Sequence, residues 1–469
     1  MLLICFIGTY IITFPQGFLI ADVYSYFNMS TAIIHGETYP IYNEAISGQP
    51  IKYNITNYPL GNSVWIAFWR LLFGTPYVYI GSLFSFAFGT FLIYQSIAKR
   101  GFQTIAILLF FIFPAFLFFC KSLMSGVPSF LLSCLFIYLL FTKGDTGRKW
   151  FLLSMIAGLS IWFREANILL LGGICLIHFL GDKRWFWYYV AGTFIGLSPR
   201  LFTSQYYYSD YFYQVLAESF SLSNITDNFV IYGLLTIVFM PIGLYVLSVY
   251  KGRYRYPIVI SSMLFLLLYF TYSFNATIYS GFNKGLITMG RFILPVLPFY
   301  VMAAAWRIRD LKIKNHIRVI SYLVVVGLVI GSQIVIDKEA SIHKSISTHI
   351  YNNYSNKCVI FDLSNHTNIV RYANPQHGSF LAQTDITNLK DTIYVNRLIV
   401  KYNEVYILQT VNVANQAKVE KTQKVTNYIK TASIHFDVNL VEKLPIKSGL
   451  SLEIYRIVIK KNDAERLGI

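Results

Sequence analysis

Residues 76–98 read PYVYIGSLFSFAFGTFLIYQSIA, with no charged side chain, and the run stops at Lys99 and Arg100. A helix over this stretch rises roughly 35 Å, enough to cross a hydrocarbon core about 30 Å thick. Similar apolar spans lie near residues 1–20, 102–120, 127–142, 150–163, 166–181, 185–203, 229–250, 257–274, 291–306 and 318–336. The whole chain agrees with them: of 469 residues, 55% are hydrophobic and 13% charged, and the mean hydropathy is +0.51. A purely soluble protein is excluded, since such domains carry about 25% charged residues. The five cysteines are an odd number and form neither a disulfide framework nor a zinc spacing.

The formal charge of +17 suggests nucleic acid in a soluble protein, but here it must first be mapped onto the membrane. Between spans, one set of loops holds Lys99, Arg100, Lys143, Arg148, Lys149, Lys183, Arg184, Lys251, Arg253, Arg255, Arg307, Arg309, Lys312, Lys314 and Arg318. The alternate set holds only Lys52, Arg70, Lys121, Arg164, Arg200, Lys284 and Arg291. The positive-inside bias makes the first set cytoplasmic. With eleven spans, the N-terminus is then cytoplasmic and everything after residue 336 lies outside. The charge reports topology, and no nucleic-acid partner is expected.

From Asp337 the composition turns polar. Short apolar runs at Cys358–Leu363, Thr392–Val400, Val405–Thr410 and Leu452–Ile459 read as strands, and Asn412–Thr431 as a helix between them. The expected architecture is an α-helical polytopic membrane domain over 1–336 and a small α/β extracytoplasmic domain over 337–469.

Ionisable groups near the outer ends of spans are costly unless they face a polar cavity or a partner. Asp22 follows Leu19, Ile20 and Ala21 at the outer end of the first span; it also reads as an ordinary helix N-cap. Asn57, Tyr58, Pro59, Leu60 and Gly61 lead into an aromatic-rich stretch through Phe73, of the kind that lies in the membrane interface. Lys121, Arg164, Lys284 and Arg291 are cations on the outer side, against the topological bias. Each singly reads as a membrane anchor, whereas the four converging on one place make an anion site suited to phosphate.

In their order and spacing these pieces resemble the GT-C superfamily of integral-membrane glycosyltransferases, in the branch of protein O-mannosyltransferases and lipid A aminoarabinose transferases. Asp22, Tyr26, Ala32 and Gly36 are similar to that branch's first outer loop, and Tyr58, Pro59, Leu60 and Gly61 to its Tyr-Pro-Pro-Gly element. Ser125 to Ser129 open the fourth span where the family has a small-residue and proline element. Gly158 to Ala166 resemble its Gly-Leu and basic-residue turn, and Gly290 to Pro298 its Arg-Tyr-Leu-Leu-Pro-x-x-Pro segment. Two positions depart from the pattern. Val23 stands where an acid often follows the first aspartate, and Gly126 replaces an acid often found before the span-four proline.

The resemblance implies transfer of a sugar from a polyprenyl phosphate to an acceptor hydroxyl on the outer face, with inversion. Asp22 is the implied base, with Glu37 as the nearest second acid and Glu44, Glu165 and Asp210 as others. Lys121, Arg164, Lys284 and Arg291 are the implied donor-phosphate ligands, and Tyr26 and Tyr58 the implied substrate-binding residues. The implied partners are a polyprenyl-phosphate-linked sugar, a glycan, lipid or protein acceptor, and the bilayer. No cofactor is implied with certainty, and a divalent metal stays open. A transporter or flippase, or a polymerase of lipid-linked saccharides, is the alternative that shares the composition.

Overall fold

The computed structural model describes residues 2–15, 17, 21–37, 41–43, 46, 50–52, 59–207, 220–226, 250–252, 254–272, 290–361, 382–385, 391–412, 433, 436–447 and 450–459. The chain divides into two units. The first comprises Met1–Phe14, Ser25–Thr38 and Asn54–Ile336; the second comprises Pro15–Tyr24, Tyr39–Tyr53 and Asp337–Ile469. The compositional break after residue 336 thus coincides with a boundary, and two earlier segments belong to the second unit.

The first unit is helical. It contains α1 (Leu2–Ile12), most of α2 (Ala21–Ile34), α3 (Leu60–Phe73), α4 (Ile80–Lys99), α5 (Leu108–Ile112), α6 (Pro114–Phe119), α7 (Gly126–Thr142), α8 (Gly147–Phe163), α9 (Gly173–Gly181), α10 (Phe186–Tyr207), α11 (Arg255–Thr271), α12 (Leu297–Arg307) and the start of α13 (Asn315–Tyr354). Every expected span has a helical counterpart except 229–250, which lies outside the described residues. The span near 102–120 is broken. Pro114 lacks an N–H and forces Phe113 into an extended conformation, so α5 and α6 are separate short helices. The first span is also shorter than expected: α1 ends at Ile12, and Asp22 falls in the first turn of α2 rather than at the end of the first helix.

Small residues set the closest helix contact. A Cβ on Gly192 meets the Phe151 carbonyl oxygen at 2.3 Å, one on Gly196 meets that of Met155 at 2.2 Å, and one on Gly158 meets the backbone of Gly196 at 2.9 Å. Bare backbone on α10 therefore lies directly on α8, the small-xxx-small packing that membrane helices use in place of a hydrophobic driving force. Aromatic rings fill the bundle elsewhere: Phe86 on α4 packs against Phe116 on α6 and Phe130 on α7, at 4.7 and 5.0 Å between centroids. The outer surfaces are apolar as well. Val319, Ile320, Leu323, Val324, Leu328, Ile334 and Val335 of α13 are exposed, as are Phe84, Phe88 and Phe91 of α4. Water does not tolerate so continuous an apolar surface; lipid does, and the fold is that of a multi-pass membrane protein.

The second unit is built on a sheet. Strands β3 (Cys358–Phe361), β4 (Ala382–Asp385), β5 (Val405–Asn412), β6 (Phe436–Lys447) and β7 (Leu450–Ile459) lie in the order β4-β3-β5-β7-β6. The first three are parallel and the last two antiparallel. One face is covered by α14 (Thr392–Tyr402) through Val395, Leu398 and Ile399. The other face is covered by Ile346, Ile350, Tyr351 and Tyr354 of α13, so the long helix runs straight through the compositional break. A hairpin of β1 (Ile41–Asn43) and β2 (Pro50–Lys52) also belongs to this unit, with the Lys401 ammonium donating to the Ile46 carbonyl at 2.6 Å.

Thr392–Val400, expected as a strand, is a helix. Its β-branched residues suggest a strand, but Asp391 caps the first turn by accepting from the Tyr394 N–H at 3.0 Å. The buried positions 395, 398 and 399 have helical spacing. Strands β4 and β6 are additions to the sequence reading, and Asn412–Thr431 falls almost wholly outside the described residues.

Candidate functional site

Arg164 directly follows α8, where its N–H still donates to the Ser160 carbonyl at 3.0 Å. The next three residues form a tight turn closed by the Asn167 N–H on the Arg164 carbonyl at 3.0 Å. Asn167 is fully buried. Its side-chain amide donates to the Ser160 carbonyl at 3.0 Å and to the Ser129 hydroxyl oxygen at 3.1 Å, tying the turn to α8 and α7 together. A π-helical turn over Ile168–Gly172 follows, a distortion that often accompanies functional sites. The turn therefore presents Arg164 from a fixed backbone.

Arg291 arrives from the other side. Gly290 before it lies against α6, where a Cβ would come within 2.6 Å of the Ala115 Cβ. Arg291 itself is 7% exposed. Nη1 of Arg164 donates to the Arg291 carbonyl at 3.1 Å, and the two guanidinium groups lie 4.7 and 4.9 Å from the Phe292 ring. Arg164 also lies 5.2 Å from the Tyr269 ring, which stacks on Phe292 at 4.9 Å. Two of the four outer cations thus share one aromatic platform. A Cβ at Gly126 would sit 3.4 Å from the Arg291 carbonyl oxygen and 3.8 Å from Nη1 of Arg164. Glycine where the family pattern has an acid means that α7 adds no carboxylate beside the pair. Planar cations held in a partly dry aromatic setting suit a phosphate, whose charge they bind more strongly there than in water.

Lys121 differs from the expectation. It is 1% exposed, and its ammonium donates to the Thr13 carbonyl and hydroxyl and, at 3.2 Å, to the Gln333 carbonyl. These bonds link the end of α1 to α13, as a structural tie does.

The acids are placed apart. Asp22 stands in the first turn of α2 and Glu37 beyond its last turn, where the Glu37 N–H closes onto the Ala32 carbonyl at 2.8 Å. The length of α2 lies between the two positions. Glu165 is paired with Arg200 of α10 at 2.6 Å. Tyr26 is buried in α2. Tyr58, Lys284, Glu44 and Asp210 lie outside the described residues. Among the described residues, no three His, Cys, Asp or Glu side chains converge as metal ligands. The sequence did not single out Asn167 or Tyr269, and it marked Arg200 only as a charge of the alternate loop set. Only Arg200, a charge inside an apolar span after Pro199, carried a local signal.

Aligned over 97% of both chains with a TM-score of 0.58 and 10% identity is the crystal structure of ArnT from Cupriavidus metallidurans bound to undecaprenyl phosphate. The same protein in its apo state aligns over 96% of both chains with a TM-score of 0.54 and 11% identity. This chain shares the ArnT fold. At this identity the likeness is one of fold. No protein-family model and no curated protein matches the sequence.

Proposed function

We propose that the chain is an integral-membrane glycosyltransferase that moves a sugar from a polyprenyl-phosphate donor to an acceptor hydroxyl, with inversion at the anomeric carbon. The observation that carries this reading is the Arg164–Arg291 pair on its aromatic platform, in a fold whose ArnT representative binds undecaprenyl phosphate. The charge bias of the loops supports a cytoplasmic N-terminus and an outer location for α2, the arginine pair and the C-terminal domain.

In the reaction the acceptor oxygen attacks the anomeric carbon from the side opposite the phosphate. Its proton passes to the Asp22 carboxylate, and the bond between the anomeric carbon and the phosphate oxygen breaks with its electron pair going to the phosphate. Arg164 and Arg291 meet the charge that develops there, with Lys284 as a further ligand. Positive groups already fixed at the leaving group stabilise the transition state without reorganising, and a well-placed general base contributes about 10²- to 10⁴-fold.

The test is Asp22→Asn in native membranes, supplied with radiolabelled polyprenyl-phosphate sugars. The expected result is a drop in transfer of about 10²-fold or more at unchanged protein level. Full turnover by the variant removes Asp22 from the mechanism.

A further inference from the structure

Helix α3 carries a cation that the proposed reaction does not use. Arg70 lies in its last turn, half-buried. Its Nη1 donates to the Ser30 hydroxyl at 2.8 Å and the Thr31 hydroxyl at 2.7 Å, with a longer contact to the Phe27 carbonyl at 3.4 Å. Nε donates to the Thr75 hydroxyl at 3.3 Å, and the guanidinium lies 4.1 Å from the Phe27 ring. All of these acceptors are neutral. The fork has five N–H groups; those on Nε and Nη1 are engaged, and the two on Nη2 meet no acceptor among the described residues. Among the described residues Arg70 meets hydroxyls, a carbonyl and a ring, and an anion at Nη2 would add the charge-assisted bonds that these neutral groups do not.

The surroundings indicate where such an anion comes from. Phe68, Leu71, Leu72 and Phe73 of α3 and Tyr77 just beyond it are all exposed. A helix that bares these residues beside a fixed arginine matches the interfacial zone, where aromatic and basic side chains sit level with the headgroups. We propose that Arg70, held in place by Ser30, Thr31 and Thr75, binds the phosphate of an anionic phospholipid, with the acyl chains against the exposed face of α3. The proposal does not depend on the transferase reading.

The test uses the full chain purified in detergent and stripped of lipid. Phosphatidylglycerol, uncharged diacylglycerol and inorganic phosphate are each added back, and thermal unfolding and lipid retention by native mass spectrometry are followed. The expected result is that phosphatidylglycerol alone raises the melting temperature and stays bound. Arg70→Gln keeps an amide to reach Ser30 and Thr31 but removes the charge, and should bind that lipid at least tenfold more weakly. Equal retention of phosphatidylglycerol and diacylglycerol by the unaltered protein overturns the proposal without any variant. So does undiminished phosphatidylglycerol binding in Arg70→Gln, or a wild-type shift reproduced in full by inorganic phosphate. A raised donor KM in Arg70→Gln with lipid binding intact would instead assign the arginine to the sugar donor.

Discussion

Lys121 and Arg291 are both buried cations, and their surroundings give them different work. Lys121 is held by two backbone carbonyls and a hydroxyl from Thr13 and Gln333, whereas Arg291 shares a ring with a second guanidinium. Kinetics and stability should separate them. Arg164→Gln and Arg291→Gln are expected to lower kcat/KM for the lipid donor by about 10²-fold or more, the usual cost of losing a preorganised donor at a developing charge. Lys121→Met should leave the donor KM within about twofold while lowering stability by about 1–3 kcal/mol, because buried carbonyls lose their partner. Donor titration beside a thermal melt of each variant in detergent reads both effects. A donor KM for Lys121→Met that rises as in the arginine variants would return Lys121 to the phosphate site.

The interface between α8 and α10 has no room for side chains at Gly158, Gly192 and Gly196. Arg164 follows the end of α8, and Arg200 on α10 pairs with the adjacent Glu165. Helix separation is therefore coupled to the geometry of the turn that carries Arg164. Gly196→Leu must push α10 off the Met155 carbonyl, an overpacking that costs about 1–3 kcal/mol or more. Its expected signature is a lowered melting temperature together with donor affinity reduced at temperatures where the protein is still folded. Gly8→Leu, where a Cβ meets nothing within 4 Å, is the control and should change neither. Retained stability and donor affinity in Gly196→Leu would show that the two helices do not need this close approach.

At the scale of the whole molecule, a helical unit and a sheet unit are combined in one chain. In the sheet unit Glu404 bonds to Lys357 and lies 3.3 Å from Arg456. The Lys357 hydrogen bond first, then the charges of Lys357 and Arg456, hold its carboxyl below the ordinary glutamate range. A depressed carboxylate pKa stabilises the fold above the unfolded value, and that contribution is lost as the pH falls through the folded value. Amide hydrogen exchange on the full chain should therefore show β5 losing protection below about pH 4.5. Glu404→Gln should reduce its protection at pH 7 by about 1 kcal/mol or less, as suits a partly exposed pair, and flatten the loss at low pH. Identical pH profiles for the two proteins would remove this pair from the stability of the domain.

Hydropathy alone determined the class of this protein, because the bilayer imposes one length and one composition on every crossing helix. It also marked where the composition turns from apolar to polar, since burial in lipid and folding in water need different residues. The strands at Cys358, Val405 and Leu452 were legible because a buried strand is a short apolar run. Thr392–Val400 was not, because its β-branched residues fit either element until Asp391 and the sheet beneath choose the helix. Cations at the outer ends of spans could be named from sequence, but not sorted, since an arginine at a platform and a lysine in a tie look the same in a string of letters. Only the tertiary structure decided that Arg164 meets Arg291 across more than a hundred residues, that Asn167 holds the turn between them, and that Lys121 is engaged elsewhere. Those distinctions depend on which neutral or aromatic atoms surround each charge, and chain folding alone brings such atoms together.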